Sequence, residues 1–303
     1  MSAAIARLFV NQAGEMRSLW RVLLFAPVFL IAAAVFRGVL APVASRPGLV
    51  GVAVGAAGLL LGALAGGMLL LASIDRRSVG ALGFAWTRRT PAEIALGIAL
   101  AGGALALVIA ILALLGRVAW TPDAGTPLGY AGELGRDLLL WGVAAAAEEA
   151  LFRGYAFQVL VQGVGAAPAT LLCSAGFALA HRGNPHVDTL ALVNIFLAGV
   201  LLSVAYLRTR SLWFATAVHL GWNWMMGTVL ALPVSGLVLI DTPLYDGHPG
   251  GPGWLTGGAF GPEGGLAATV AFGLALLGVM VLPLRESDRM RELRPLVDSR
   301  LAR

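Results

Sequence analysis

Apolar residues occur along this chain in blocks of about twenty, separated by short segments that carry Arg, Gly or Pro. About 20 apolar residues in a helix cross a hydrocarbon core of about 30 Å. The pattern therefore predicts an all-α fold, a polytopic transmembrane helical bundle of about eight helices. The predicted spans are 19–43, 49–74, 92–116, 134–158, 166–182, 189–207, 211–232 and 265–284.

Composition argues against a soluble enzyme. Hydrophobic residues make up 58% of the chain and charged residues 12%, which is about half the charged fraction usual in soluble domains. The formal net charge is +5, and every basic residue is an arginine. These arginines lie between apolar blocks, which favours contact with an anionic membrane surface and predicts no nucleic-acid partner. The single cysteine, Cys173, excludes an intramolecular disulfide.

The distribution of arginine predicts the orientation. Six arginines lie in the tail 285–303 and nine in the other predicted inner segments, against five in the predicted outer segments. The long loop 233–264 has no arginine and three acidic residues, as expected outside the membrane. We therefore predict a single integral membrane domain over 1–303. In this prediction both termini lie in the cytoplasm, and residues 285–303 form a charged cytoplasmic tail. The protein crosses the cell membrane several times.

Ionisable side chains inside a bilayer cost several kcal/mol and usually face a bundle interior or a wet cavity. The fourth span contains Glu148, Glu149 and Arg153. Glu149 and Arg153 are four residues apart, the spacing of a helical ion pair. Glu148 lies about 100° around the helix from Glu149 and has no such local partner. Its carboxylate is therefore a candidate general base.

Polar residues with helical spacing also occur in two later spans. Phe177 and His181 are four residues apart at the end of the fifth span, and His219 and Asn223 are four apart in the seventh. Each pair lies on one helix face. Taken singly, the ion pair and the histidines are more often structural. Together with Glu148 they predict one functional site between three helices.

Two chemistries fit this set of side chains. Glu148 could take a proton from a water molecule that His181 also binds, while His219 and Asn223 donate hydrogen bonds to an oxyanion. Alternatively, Glu148, His181 and His219 could hold a divalent metal such as zinc, with one open position for water. The HExxH motif of soluble zinc proteases is absent. The residue pattern leaves both schemes open.

Three motifs carry a resemblance to a known family. The segment EEALFRG at 148–154 resembles EExxxR, FALAH at 177–181 resembles FxxxH, and HLGWN at 219–223 resembles HxxxN. In this order they resemble the CAAX-protease and bacteriocin-processing family, the CPBP or Abi intramembrane proteases, also called type II CAAX prenyl endopeptidases. The resemblance is concentrated in a core over 133–232.

This resemblance implies an intramembrane endopeptidase that cleaves membrane-associated proteins or peptides. It implies that Glu148 and His181 activate water, that His219 and Asn223 stabilise the oxyanion, and that Glu149 and Arg153 hold the helices together. Family members have been described both as metalloproteases and as metal-free glutamate-dependent proteases, so no cofactor follows with certainty. Cleavage of CAAX proteins is not carried over.

Two alternatives use the same residues. A proton-coupled transporter would employ the buried Glu and His as a relay, although no inverted repeat is evident in the sequence. A non-catalytic scaffold or immunity protein would keep the fold alone. The predicted orientation also places His181 at the outer end of a short helix, so its depth relative to Glu148 depends on a tilted helix or on the turn at 183–185.

Overall fold

The computed structural model describes residues 8–11, 14–44 and 48–297. Four of the arginines that predict the orientation, Arg7, Arg46, Arg300 and Arg303, lie outside the described residues, as does the predicted tail beyond residue 297. The helices are α1 (Ser18–Ala44), α2 (Leu49–Ser73), α3 (Thr90–Leu114), α4 (Pro127–Phe152), α5 (Tyr155–Val164), α6 (Ala166–Ala180), α7 (Thr189–Thr209), α8 (Leu212–Trp224), α9 (Gly253–Thr256), α10 (Leu266–Val281) and α11 (Asp288–Leu293). The strands are β1 (Val118–Pro122) and β2 (Tyr245–Pro249).

The mostly helical fold confirms the predicted class, and each predicted span contains a helix. Four described helices, α1, α2, α3 and α7, are long and apolar enough to cross a membrane by length and composition. Many outward-facing positions are apolar, as lipid contact requires; examples are Ile31, Val39, Leu114, Leu139 and Val281. The chain is a multi-pass membrane protein. Which membrane it occupies and the direction of the bundle remain predictions.

The fourth predicted span is two helices and not one. The backbone leaves the helical conformation at Arg153, and α5 begins at Tyr155. The break requires glycine at position 154, because a Cβ there would lie 2.1 Å from the carbonyl oxygen of Ala150. The second half, α5, packs on α1 and α6.

This break and the turn at Gly165 place Glu148 and His181 at the same depth. Gly165 lies 17 residues after Glu148 and 16 residues before His181. The two side chains meet at one level, with Glu148 Oε2 3.9 Å from His181 Nε2. The short α6 therefore reaches the level of Glu148, which answers the question of depth that the sequence leaves open.

The loops at one end of the bundle are ordered by a two-stranded ribbon that the all-α prediction does not include. Strands β1 and β2 pair antiparallel, with Trp120 opposite Gly247. The Trp120 indole N–H also donates to the carbonyl of Leu230, 2.9 Å away. The ribbon thus ties the connection between α3 and α4 to the long segment between α8 and α10.

The tail is less solvated than the sequence indicates. Met290, Leu296 and Val297 are buried, and Leu296 and Val297 pack in the cluster that contains Phe25. Arg77 donates to the carbonyl of Arg294 at 2.9 Å. The described part of the tail is therefore docked on the helix ends.

Close packing of α1 on α2 depends on glycine and generates a prediction. A Cβ at Gly62 would lie 2.7–2.9 Å from atoms of Ala33, whereas one at Gly55 would meet nothing within 4 Å. We expect Gly62→Ala to destabilise the protein by about 1–3 kcal/mol because the helices must separate. Gly55→Ala is the matched control and should be neutral or slightly stabilising. Thermal unfolding in detergent, followed by tryptophan fluorescence, measures both; equal shifts would contradict this packing.

Candidate active site

A buried ion pair lies at the end of α4. Arg153 Nη1 is 3.2 Å from Glu149 Oε1, and neither side chain is exposed. This confirms the predicted i, i+4 pair. The same Glu149 oxygen lies 2.9 Å from Nδ1 of His219 on α8. Glu149 therefore joins two helices, a contact that sequence spacing does not reveal.

Arg153 uses its remaining donors on α7. Its Nη2 donates to the carbonyl of Gly199 at 2.9 Å, and Nε lies 3.4 Å from Ser203 Oγ. The guanidinium carbon lies 4.6 Å from the centre of the Phe177 ring on α6. One cation thus contacts α4, α6 and α7, and its buried charge is offset by a carboxylate, by hydrogen bonds and by an aromatic face.

The ring of Phe177 lies between the two histidines. Its centre is 4.7 Å from the His181 ring, as the i, i+4 spacing predicts, and 5.9 Å from the His219 ring. The His219 contact has edge geometry, the arrangement that aromatic pairs favour. Phe177 therefore fixes the orientation of both imidazoles.

Glu148 faces these two imidazoles. Its Oε2 lies 3.9 Å from Nε2 of His181 and 3.9 Å from Nε2 of His219. This oxygen is buried and has no hydrogen-bond partner among the described residues, although the side chain as a whole is 37% exposed. Hydrogen bonds of about 2.8 Å span such a gap when they meet at an angle of about 90°. Both gaps are too long for a direct hydrogen bond, and a water that bridged either one would have hydrogen bonds of ordinary length.

The hydrogen bonds of the two histidines determine their tautomers. Nδ1 of His181 lies 2.8 Å from the Phe177 carbonyl, which can only accept, so Nδ1 carries the proton. Nδ1 of His219 donates in the same way to the paired carboxylate of Glu149. In the neutral form of each ring, Nε2 is therefore a free acceptor directed toward Glu148. An Nε2–H donor requires the protonated ring.

Asn223 lies one turn beyond His219 on α8. Both residues line a cavity between α3, α7, α8 and α10, together with His181. Most of its remaining lining is apolar, with Leu201, Val218 and Phe272 among it. The structure thus brings Glu148, His181, His219 and Asn223 to one region of the bundle interior.

The same cavity is lined by two residues that sequence reasoning does not select, Ser235 and Glu263. Glu263 belongs to the loop 233–264. The sequence indicates only that it is one of the three acidic residues of a predicted external loop. It is in fact 6% exposed. Glu263 lies among glycines and prolines, where residues do not repeat at helical spacing. The sequence therefore contains no signal for its burial.

The carboxylate and the two imidazoles are of the types that bind zinc, but their spacing is not that of a formed metal site. Both Nε2 atoms and Glu148 Oε2 converge, and both Nδ1–H groups are held by an acceptor, as in metal-bound histidines. Ligands of tetrahedral zinc lie about 3.3 Å apart, less than the 3.9 Å found here. Within the described part of the chain, no group of three or more His, Cys, Asp or Glu side chains could hold a metal ion.

Fold and site together define a polytopic membrane protein with a partly buried set of side chains of the types that hydrolysis uses. Residues 133–225 match the family model of the Rce1-like type II CAAX prenyl endopeptidases. The predicted family resemblance is thereby confirmed for that part of the chain, which includes all three motifs. This match indicates a protease associated with a membrane. No curated protein and no solved structure is similar enough to the chain to count as a match.

Removal of one partner of the buried pair tests its structural role. We expect Arg153→Ala to lower stability by about 3–5 kcal/mol, because the Glu149 carboxylate would remain buried without its cation. Arg289→Ala is the matched control, since Arg289 and its partner Glu292 are 60% and 66% exposed; the expected loss is about 0.5 kcal/mol or less. Thermal unfolding in detergent measures both variants. A similar loss of stability in both variants would show that the buried pair contributes no more to stability than the exposed pair.

Proposed function

We propose that this protein is an intramembrane endopeptidase that hydrolyses peptide bonds of membrane-associated proteins or peptides. One observation carries the proposal: Oε2 of Glu148 has no hydrogen-bond partner among the described residues and lies 3.9 Å from Nε2 of both His181 and His219. A carboxylate beside an imidazole acceptor at His181, with a second imidazole at His219, provides groups that general-base hydrolysis uses. The family match over 133–225 supports the same chemistry.

In this mechanism Glu148 removes a proton from the water while the free Nε2 of His181 orients it. The hydroxide formed attacks the scissile carbonyl carbon, and the carbonyl oxygen takes up the negative charge. Glu148 then returns the proton to the leaving nitrogen as the carbon–nitrogen bond breaks. The products are one carboxylic acid and one amine, and no other reactant is consumed.

The oxyanion is stabilised by His219 and Asn223. Asn223 donates through its amide, whereas His219 donates from Nε2 only when its ring is protonated, because Nδ1 already donates to Glu149. Two carboxylates near this ring, Glu149 at 2.9 Å and Glu148 at 3.9 Å, favour that cation. Glu149 and Arg153 act as support by holding His219 in place. Donors fixed in a site shielded from water stabilise charge more strongly than the same groups in water.

The exposure of the three side chains indicates the side from which a substrate can approach. His181 and His219 are 15% and 10% exposed at the side chain, but Glu148 is 37% exposed. The site is therefore open beside α4 and closed around the histidines. We propose the cell membrane as the location, with an extended segment of a lipid-embedded or lipid-bound chain as the substrate.

A divalent metal such as zinc is the other scheme that the residue types allow, although the described side chains do not form a metal site as they lie. Glu148, His181 and His219 would hold it, and it would supply a bound water of lowered pKa. The roles of Asn223, Glu149 and Arg153 as donor and supports stay the same in either scheme.

The proposal predicts loss of cleavage in Glu148→Gln, which keeps the size of the side chain and removes the base. We expect kcat to fall about 10²–10⁴-fold. Purified protein in liposomes, given a mixed library of lipidated and transmembrane peptides, provides the assay. Glu133→Gln on the same helix is the matched control and should retain activity.

Cleavage that survives in both Glu148→Gln and His181→Ala would refute this site. Solute flux that depends on pH and disappears in Glu148→Gln, without peptide cleavage, would favour the transporter. A wild-type protein with neither activity would favour the scaffold or immunity role.

Metal analysis of the same preparation separates the two water-activation schemes. In the metal-free scheme, a chelator leaves the cleavage rate unchanged. Neither the wild-type protein nor His219→Ala then contains bound metal. About one zinc per chain, together with activity that a chelator removes and zinc restores, would assign the metal scheme to Glu148, His181 and His219.

A further inference from the structure

The buried carboxylate of Glu263 accepts hydrogen bonds from two parts of the molecule. Its Oε1 accepts from the backbone N–H and the hydroxyl of Ser235, the latter at 2.6 Å. Its Oε2 accepts from the indole N–H of Trp222 at 3.0 Å. All three donors are neutral, so these contacts use the carboxylate as a multiple acceptor and not as one half of an ion pair.

These contacts connect the segments that carry the two histidines. Trp222 lies on α8 between His219 and Asn223. Ser235 in turn accepts, at its carbonyl, a hydrogen bond of 3.0 Å from the Asn184 side chain, and Asn184 follows His181 by three residues. The chain of contacts Asn184–Ser235–Glu263–Trp222 therefore links the end of α6 to α8 through the loop.

Glu263 is itself held in place from α7. The fully buried Asn194 donates to the carbonyls of Glu263 and Gly265, at 2.8 and 2.9 Å, and accepts from the Thr269 hydroxyl at 2.7 Å. Glu263 is thus held at its backbone by Asn194 and at its carboxylate by Ser235 and Trp222.

We propose that Glu263 is a positioning residue for the hydrolysis, through Ser235 and Asn184 on one side and Trp222 on the other. It sets the separation of the His181 and His219 imidazoles and hence the space that both share with Glu148. Glu263 lies outside the matched residues 133–225, so the site depends on a loop that the family match does not include. This inference rests on the proposed function.

The test removes either partner of the hydrogen bond between Trp222 and Glu263. Glu263→Gln replaces one acceptor oxygen by a donor, and Trp222→Phe removes the indole N–H. We expect each to lower kcat about tenfold, because small displacements of catalytic groups have effects of that size or larger, and to change KM by about twofold or less. The kcat of the double variant should fall about as much as that of either single variant, because both substitutions remove the same Trp222–Glu263 hydrogen bond.

Trp224→Phe is the matched control. It removes an indole N–H on the same helix that donates to the carbonyl of Leu134, and kcat should stay within about twofold of wild type. A rise in KM with unchanged kcat in Glu263→Gln would mean that the carboxylate contacts substrate, and would overturn the positioning role. So would unchanged kinetics in Glu263→Gln alongside an inactive Glu148→Gln.

A second measurement needs no activity, which separates this inference from the proposed function. In a Cys173→Ser background, Ala198→Cys places one thiol in the wall of the cavity. We expect a water-soluble thiol reagent to modify it about fivefold faster or more in Glu263→Gln than with Glu263 intact, because the loop loses its attachment to α8. An unchanged rate would overturn the inference even if the wild-type protein cleaves no peptide.

Discussion

The Glu149–Arg153 pair is the interaction on which the rest of the site depends. Two opposite charges with no exposed surface cannot be separated without leaving one of them buried alone, at a cost of several kcal/mol. Because Arg153 also reaches α7 and the Phe177 ring, and Glu149 also accepts from His219, four helices must meet at one point. That requirement selects one packing of the bundle.

The consequence for catalysis is a defined protonation pattern. Glu149 accepts a hydrogen bond from Nδ1–H of His219, and the Phe177 carbonyl accepts one from Nδ1–H of His181, so both Nε2 atoms face Glu148. Glu148 is left as the carboxylate whose Oε2 has no hydrogen-bond partner among the described residues. In the proposed mechanism, two adjacent glutamates on one helix thus have different roles, one structural and one chemical, because they face different sides of α4.

The loop between α8 and α10 extends this scaffold to the opposite side of the cavity. Glu263 joins the loop to α8, and Asn194 joins it to α7. The ribbon of β1 and β2 adds a second attachment, since it ties this loop to the connection before α4. A segment rich in glycine and proline thus becomes an ordered wall of the proposed site.

Sequence alone was sufficient for the features that arise from local pattern. Apolar block length predicts the membrane helices, and i, i+4 spacing predicts the Glu149–Arg153 and Phe177–His181 contacts, because neighbours on one helix face need no tertiary information. The ordered motifs predict the family. Only the tertiary structure decided the break at Gly154, the equal depth of Glu148 and His181, the Glu149–His219 contact and the burial of Glu263. Each of these depends on which helices or loops pack together, and residues distant in sequence leave no periodic signal of such contacts.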